Sequence, residues 1–259
     1  MITHLGSKGR MIRDFSLLDY FKRKDCFIDL FSGSLDVAIS YNAKYTFCND
    51  YDNELFNLYK VWQNDLDSLV EAVFYMPKHR TLFIDWLSTP EINPVLRAAK
   101  TLMHKNFSLY GTCSTMRIGV ENTKDILIKN IQNLYGLVSN FSFFSLDFES
   151  ALKAINFKKN EKGNIFIYAD PPYIGRRGYP NCPPWVESDL IRLIEALIKY
   201  NEPFCISEFD SENLKLIADE YNLFYYRLGE RANIKSRAVE VVLTSYEVKK
   251  QQLLFDSAA

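Results

Sequence analysis

Asp170-Pro171-Pro172-Tyr173 concentrates more chemistry than any other stretch of this 259-residue chain. It follows the apolar run Ile165 to Ala169, opened by Gly163-Asn164, and a short apolar run bounded in this way predicts a strand buried on both faces. Each X-Pro bond disfavours the α region for the residue before it, so the chain leaves that strand extended and stiff. The strand then ends in a fixed carboxylate on Asp170, the Pro171 carbonyl and the Tyr173 ring. Open α/β sheets put ligands at that end of their strands. Two acceptors and a ring suit a planar base carrying an exocyclic amine. One N–H would go to Asp170, the other to the Pro171 carbonyl, and Tyr173 would cover a face.

The elements that must hold this corner are read next. Cys26 to Phe31 predicts a second buried strand, ending in Ser32-Gly33-Ser34 ahead of a helix that begins near Val37. Strand, glycine turn and helix form the first unit of a nucleotide-binding sheet. A dinucleotide fingerprint, however, wants three glycines where this turn has only Gly33, so a ligand without phosphates fits better. Tyr45 to Asp50 predicts the next strand. Its terminal acid, about twenty residues after Asp29, stands where an acid accepts from ribose hydroxyls, with Asp52 as the fallback. Phe141 to Leu146 predicts another strand, closed by Asp147-Phe148. There an acid and a ring could meet an adenine, or Asp147 could simply cap the helix from Glu149 to Ile155. Leu190, Leu193, Ile194 and Leu197 mark an amphipathic helix, and Pro203 to Ser207 a strand. Ser211 caps the following helix. Leu223 to Leu228 and Val239 to Ser245 form a closing strand pair, with a polar, basic loop from Arg231 to Arg237 between them.

Residues 53–137 change character. Leu55, Leu58, Tyr59 and Trp62 recur at helical spacing, as do Leu66, Leu69, Val70 and Val73, and two more helices are expected around Val95 to Met103 and Ile126 to Val138. We read this as a helical insertion in a domain formed by residues 1–52 and 138–259. Within it, the stretch from Phe107 to Arg117 could set Ser114 and Arg117 against DNA or serve as a connector. Past Tyr173, the loop with Arg176 and Arg177 is placed to meet phosphates. At the start, Gly6 could admit a close backbone approach and Lys8 could reach a carboxylate, although an exposed arm would look the same.

Composition narrows the class. At 47% hydrophobic and 15% aromatic residues the chain is expected to fold, and no apolar run reaches the roughly 18 residues of a membrane span. No secretion signal is evident, so a cytoplasmic location is expected. Five scattered cysteines without a Cys-x-x-Cys pair, and three distant histidines, argue against a metal site or a disulfide framework. A net charge of −1 gives no global pull toward nucleic acid, so any DNA contact must be local.

Taken in order, these motifs resemble the Dam-like, D12-class DNA N6-adenine methyltransferases in the arrangement called group α. Asp29 to Ser34 is similar to the family's S-adenosylmethionine loop, Asn49-Asp50 to its ribose-binding acid and Asp147-Phe148 to its adenine contact. Asp170 to Tyr173 is similar to its catalytic tetrapeptide, and His4 to Lys8 to the Tyr-x-Gly-x-Lys motif that helps bind the cofactor. Three positions depart from the pattern. His4 stands for tyrosine, Leu35 for a second glycine in the cofactor loop, and Ser207-Glu208-Phe209-Asp210 for Ser-Asn-x-Asp.

The resemblance implies a Rossmann-like methyltransferase fold with a mixed, mostly parallel sheet and a helical target-recognition insertion. It also implies S-adenosylmethionine as cofactor and double-stranded DNA as substrate. The catalytic residues would be Asp170, Pro171, Pro172 and Tyr173. The cofactor would meet Gly6, Lys8, Asp29, Phe31, Ser32, Gly33, Ser34, Asp50, Asp147, Phe148 and Asp170, and the DNA would meet Lys8, Ser114, Arg117, Arg176 and Arg177. No metal is implied, and a cognate restriction endonuclease is a conceivable companion.

The implied chemistry is positioning rather than covalent catalysis. Hydrogen bonds from N6 to Asp170 and the Pro171 carbonyl would aim the nitrogen lone pair at the methyl group and stabilise the charge that develops. An ordinary aspartate is already ionised near pH 7, so no unusual pKa is expected. The base must leave the duplex, with Tyr173 restoring part of its stacking. An N4-cytosine DNA methyltransferase, a dinucleotide-dependent oxidoreductase and an inactive DNA-binding module are the competing readings.

Overall fold

Seven strands form one sheet in the order β3-β2-β1-β4-β5-β7-β6, parallel except for β7, which runs against both of its neighbours. The computed structural model describes residues 8–108, 116, 123–155, 164–175, 182–233 and 236–249. The strands are β1 (Cys26–Asp29), β2 (Tyr45–Asn49), β3 (Ser142–Phe144), β4 (Ile165–Ala169), β5 (Phe204–Phe209), β6 (Phe224–Asn233) and β7 (Ser236–Thr244). The helices are α1 (Gly9–Asp14), α2 (Asp36–Tyr41), α3 (Asn53–Asn64), α4 (Leu66–Tyr75), α5 (Arg80–Ser88), α6 (Pro94–Phe107), α7 (Thr123–Val138), α8 (Phe148–Ala154), α9 (Glu187–Tyr200) and α10 (Glu212–Glu220). This is the mixed, mostly parallel α/β sheet the sequence predicts. The topological switch falls between β1 and β4, because the chain leaves β1 toward β2 and leaves β4 toward β5.

Alternation along the central strands explains why both of their faces are apolar. Phe27, Phe166 and Tyr168 point into one core with α1 to α7, whereas Cys26, Ile28, Ile165 and Ile167 point into a second core with α8, α9 and α10. Burying both faces requires continuous apolar runs, which is how β1 and β4 read. Residues 53–138 supply five helices, α3 to α7. These share the first core with the sheet, through Leu55, Leu58, Trp62, Leu102 and Ile131 against Phe143 and Phe166.

Local signals hold at several ends. Asp147 Oδ1 accepts from Glu149 N at 3.0 Å and Ser211 Oγ from Leu214 N at 3.1 Å, both as helix caps. Asn93 caps α6 one residue before Pro94, which occupies the first turn, where its missing N–H is no loss.

The C-terminal hairpin differs from expectation. Arg231 to Asn233 belong to β6, and Ser236 and Arg237 to β7, with Arg231 opposite Ala238 and Asn233 opposite Ser236. Side-chain polarity suggested a loop there. A two-stranded ribbon is held by its backbone ladder and tolerates polar side chains on both faces. At Gly229, beside a register shift, a Cβ would run into the Phe15 ring, so the missing side chain lets the N-terminal segment dock on β6.

The turn from β1 to α2 carries two left-handed residues, Gly33 (φ 48°) and Leu35 (φ 62°). Leucine thus adopts a glycine-like backbone at the position where the resembled loop often has a second glycine. Strain there costs about 1–2 kcal/mol. The side chain is fully buried in the first core, however, and burying a leucine is worth more, about 2–5 kcal/mol by truncation. Leu35→Gly is therefore expected to destabilise the protein despite relieving the backbone, lowering Tm by roughly 5 °C. A calorimetric Tm equal to or above wild type would mean that strain outweighs burial.

Candidate active site

At the carboxyl edge of the sheet, the ends of β1, β2, β3 and β4 surround one cavity of about 380 Å³. Asp29, Phe31, Ser32, Gly33 and Ser34 arrive from β1, Asp50 from β2, Asp147 and Phe148 from β3, and Asp170 and Pro172 from β4, with Lys8 at the side. Residues far apart in sequence meet because every parallel strand delivers its C-terminal loop to the same edge. Gly6, Ser114, Arg117, Arg176 and Arg177 lie outside the described residues.

A network of backbone-directed side chains fixes the loops. Asp50 Oδ2 accepts from Gly33 N at 2.8 Å and its Oδ1 from Asp52 N at 2.9 Å, tying the glycine turn to the end of β2. Asn49 Nδ2 donates to the Leu30 and Leu146 carbonyls at 3.1 and 3.0 Å, and its Oδ1 accepts from Leu146 N at 3.0 Å. One amide thereby joins three strand ends. The Tyr59 hydroxyl, from α3, donates to the Gly33 carbonyl.

Phe31 and Phe148 form one wall with Trp185, whose ring meets theirs edge-on at 5.6 and 5.9 Å. The Trp185 Nε1–H is buried with no hydrogen-bond partner among the described residues, and so is Asp29 Oδ1. A donor and an acceptor buried without a partner are costly features. Arg192 holds Asp147 at 3.0 Å and lies 4.7 Å over the Phe148 ring.

The catalytic corner departs most from expectation. Lys8, expected at both cofactor and DNA, is only 3% exposed, and its ammonium turns inward, 2.9 Å from Asp170 Oδ1 and 3.1 Å from Glu240 Oε2. The Tyr173 hydroxyl accepts from Lys8 and donates to Glu240 Oε2 at 2.7 Å, and its ring meets Phe209 edge-on at 4.3 Å. Tyr173 is thus a tethered ring beside the cavity, with the Lys8 ammonium at its hydroxyl end, 4.6 Å from the ring centroid.

Sequence reading missed Glu240 and Trp185 as parts of the site, and named Asn49 only as the neighbour of the ribose-binding Asp50. A charge inside the apolar run Val239 to Val242 was the signal for Glu240. An indole after two prolines, just ahead of α9, was the signal for Trp185.

Among the described residues, seven aspartates line the cavity against two basic side chains, Lys8 and Arg192. Burial raises Asp170 from 3.8 to about 6, against the pull of Lys8 and with help from the Glu240 charge, so it is not the ordinary aspartate expected. Burial likewise brings Asp50 to about 6, opposed by the Asp52 and Gly33 N–H groups, and Glu208 to about 7. Asp29 is raised well above its usual range by burial and then by the Asp170 charge. For Lys8, burial alone would lower the pKa, but Asp170 and Glu240 outweigh it and hold the ammonium above its ordinary value.

Chemically, such a site takes a cationic or amine-bearing ligand with an aromatic part and repels phosphates. That last property disfavours a dinucleotide. Among the described residues no group of His, Cys, Asp and Glu could hold a metal ion, and no helix is long and apolar enough to cross a membrane.

Comparison with known proteins adds a family. Residues 5–224 match the family model described as D12 class N6 adenine-specific DNA methyltransferase. A curated relative, the modification methylase StsI of Streptococcus sanguinis, is 21% identical over 295 residues covering 98% of this chain; the chain spans 44% of that methylase. Among solved structures, the N-terminal domain of human METTL16 in complex with SAH has a TM-score of 0.41 at 10% identity, covering 86% of this chain and 62% of that one. A precorrin 8W decarboxylase from Methanobacterium thermoautotrophicum has a TM-score of 0.38 at 10% identity, covering 88% and 86%.

The raised carboxyl groups make a prediction for stability. Asp50, Asp170 and Glu208 keep protons in the folded chain that the unfolded chain has already lost, so their contribution is fully present below about pH 4 and drains away as pH rises to about 7. Tm of the ligand-free protein is expected to fall between pH 5 and pH 7.5, as followed by scanning calorimetry, whereas a rising profile would mean that these acids are ionised as freely in the fold as in water.

Proposed function

Because this chain belongs to the family of D12 class N6 adenine-specific DNA methyltransferases, we propose that it transfers a methyl group from S-adenosylmethionine to N6 of an adenine in DNA. The observation that carries this reading is the single acidic chamber in which Asp29, Asp50, Phe148 and Asp170 meet from four strand ends.

The residues present fit the cofactor. Its charge balance suits a wall of seven aspartates, and its purine suits the Phe31, Phe148 and Trp185 rings. In this reading Asp50 receives ribose hydroxyls, Asp29 faces the cationic amino-acid end, and Asp147 faces the purine. When bound, S-adenosylmethionine supplies a methyl group activated on a sulfonium.

The chain's own groups do the rest. Asp170 accepts one N6 hydrogen and the Pro171 carbonyl the other, holding the nitrogen with its lone pair directed and stabilising the positive charge that grows on it. With its pKa about 6, Asp170 is ionised at neutral pH yet basic enough to take the proton the amine gives up. An adenine turned out of the duplex would stack on the Tyr173 ring, which Lys8 and Glu240 hold at its hydroxyl end. The helices of residues 53–138, with Ser114, Arg117, Arg176 and Arg177, are the proposed DNA-reading elements. A modification role, as in the name of the streptococcal relative, would make a restriction endonuclease the companion activity.

Asp170→Ala is expected to cut transfer of labelled methyl into an adenine-containing duplex by about 100-fold or more while cofactor affinity stays within a few-fold. Substantial turnover in that variant, or label appearing in cytosine, would sink the assignment. Trp185→Phe trims the indole to a single ring and removes its N–H, so calorimetric titration with S-adenosylhomocysteine should show affinity weaker by about threefold to tenfold. Unchanged affinity would place the indole off the cofactor.

A further inference from the structure

Glu240 is wholly buried on β7, outside the cavity wall, in the run Val239-Glu240-Val241-Val242. A buried carboxylate is costly unless it is paired and hydrogen-bonded. Glu240 is both. Its Oε2 lies 3.1 Å from Lys8 Nζ and accepts from the Tyr173 hydroxyl at 2.7 Å. Lys8 is in turn 2.9 Å from Asp170 Oδ1.

We propose that Glu240 is a positioning residue for Asp170: by sharing the Lys8 ammonium and tethering the Tyr173 hydroxyl, it keeps Lys8 on one oxygen of Asp170 and leaves the other to the amine. The chemistry assigned to Asp170 rests on the methyltransferase reading, whereas the action of Glu240 on Asp170 does not.

An ammonium facing a single carboxylate can straddle both oxygens and take up the acceptor that the substrate needs. Facing two carboxylates from different strands, it is held between them. The groups that bear on Asp170 come from every neighbouring element: Lys8 ahead of α1, Asp29 at the end of β1, Tyr168 on β4, Tyr173 after it, Cys205 and Glu208 on β5, and Glu240 on β7. Lys8 and the Tyr173 hydroxyl favour the carboxylate form, and the Glu240 charge is the acid that opposes them most directly. Without that charge Lys8 belongs to Asp170 alone, and Asp170 becomes a weaker base with one oxygen fewer to offer.

Glu240→Gln is nearly isosteric and still accepts from Tyr173. In protein labelled with ¹³C at the aspartate carboxyls, with Asp170 assigned through Asp170→Asn, wild type should titrate near 6, and Glu240→Gln at least about one pH unit lower. In methyl transfer, kcat of Glu240→Gln should fall about 100-fold with cofactor affinity within about twofold, since misplacing the reacting group acts on turnover rather than on binding. Glu240→Asp keeps the charge but withdraws it from Lys8 and Tyr173, and should fall between the two in both readouts. Should Glu240→Gln fail to fold, Glu240→Asp decides, because an aspartate variant that matches wild type in both readouts refutes the proposal. An unmoved Asp170 midpoint in a folded Glu240→Gln protein refutes it as well. If wild type titrates as described but methylates no DNA, the methyltransferase reading falls, and the shift in the Asp170 midpoint alone decides the role of Glu240.

Discussion

An ammonium sealed among carboxylates is the constraint around which the carboxyl edge of this sheet is arranged. Lys8 leaves water almost completely, and so does Glu240, while Asp170 keeps 17% of its side chain exposed toward the cavity. Desolvating such groups costs several kcal/mol per ion, and only close pairing with complete hydrogen bonding recovers it. Lys8 therefore has to lie within reach of both acids, and the segment ahead of α1 must dock where β4 ends, beside Glu240 in β7. Phe15 settling over Gly229, and Gly9 N donating to Asp36 Oδ2 at 3.2 Å, hold that segment from either side.

The surplus of acid in the cavity sets up a second tension. Burial pushes Asp29, Asp50, Asp170 and Glu208 toward their protonated forms, so the ligand-free fold carries groups that would prefer either a proton or a cation. A cationic ligand relieves them, and part of its binding energy is the relief of a cost already present in the protein. Sites of this kind give up stability for preorganisation, because the carboxylates are in place before the charge they must meet arrives.

How much of this was legible depended on whether the signal was local. β4 appears at the residues its apolar run and flanking breakers predict, and Asp147 and Ser211 cap the helices they precede. The gathering of Asp29, Asp50, Asp147 and Asp170 at one edge follows from parallel topology once the strands are known. What stayed hidden depends on side-chain direction across long separations. Tyr173 looked free to stack in either sense, and only the structure tethers its hydroxyl to a residue 67 positions away. For Lys8 the sequence left a carboxylate contact and an exposed arm equally open, because nothing near it in sequence pairs with it; its partners lie at 170 and 240. The hairpin of β6 and β7 ran past its apolar stretch because ladder hydrogen bonds do not require apolar side chains.

The reversed strand is what makes the corner possible. In a fully parallel sheet, the carboxyl edge collects residues from strand ends and the loops that follow them, and a residue early in a strand lies at the opposite edge. β7 runs the other way, so Glu240, midway along it, lies opposite Phe209, the last residue of β5. A carboxylate rooted in regular strand backbone can then stand beside the end of β4, held by the sheet itself and not by a loop. Rooting an acid in a ladder confines it more tightly than a turn can, and that rigidity passes through Lys8 to Asp170, the acid proposed to receive the substrate's amine.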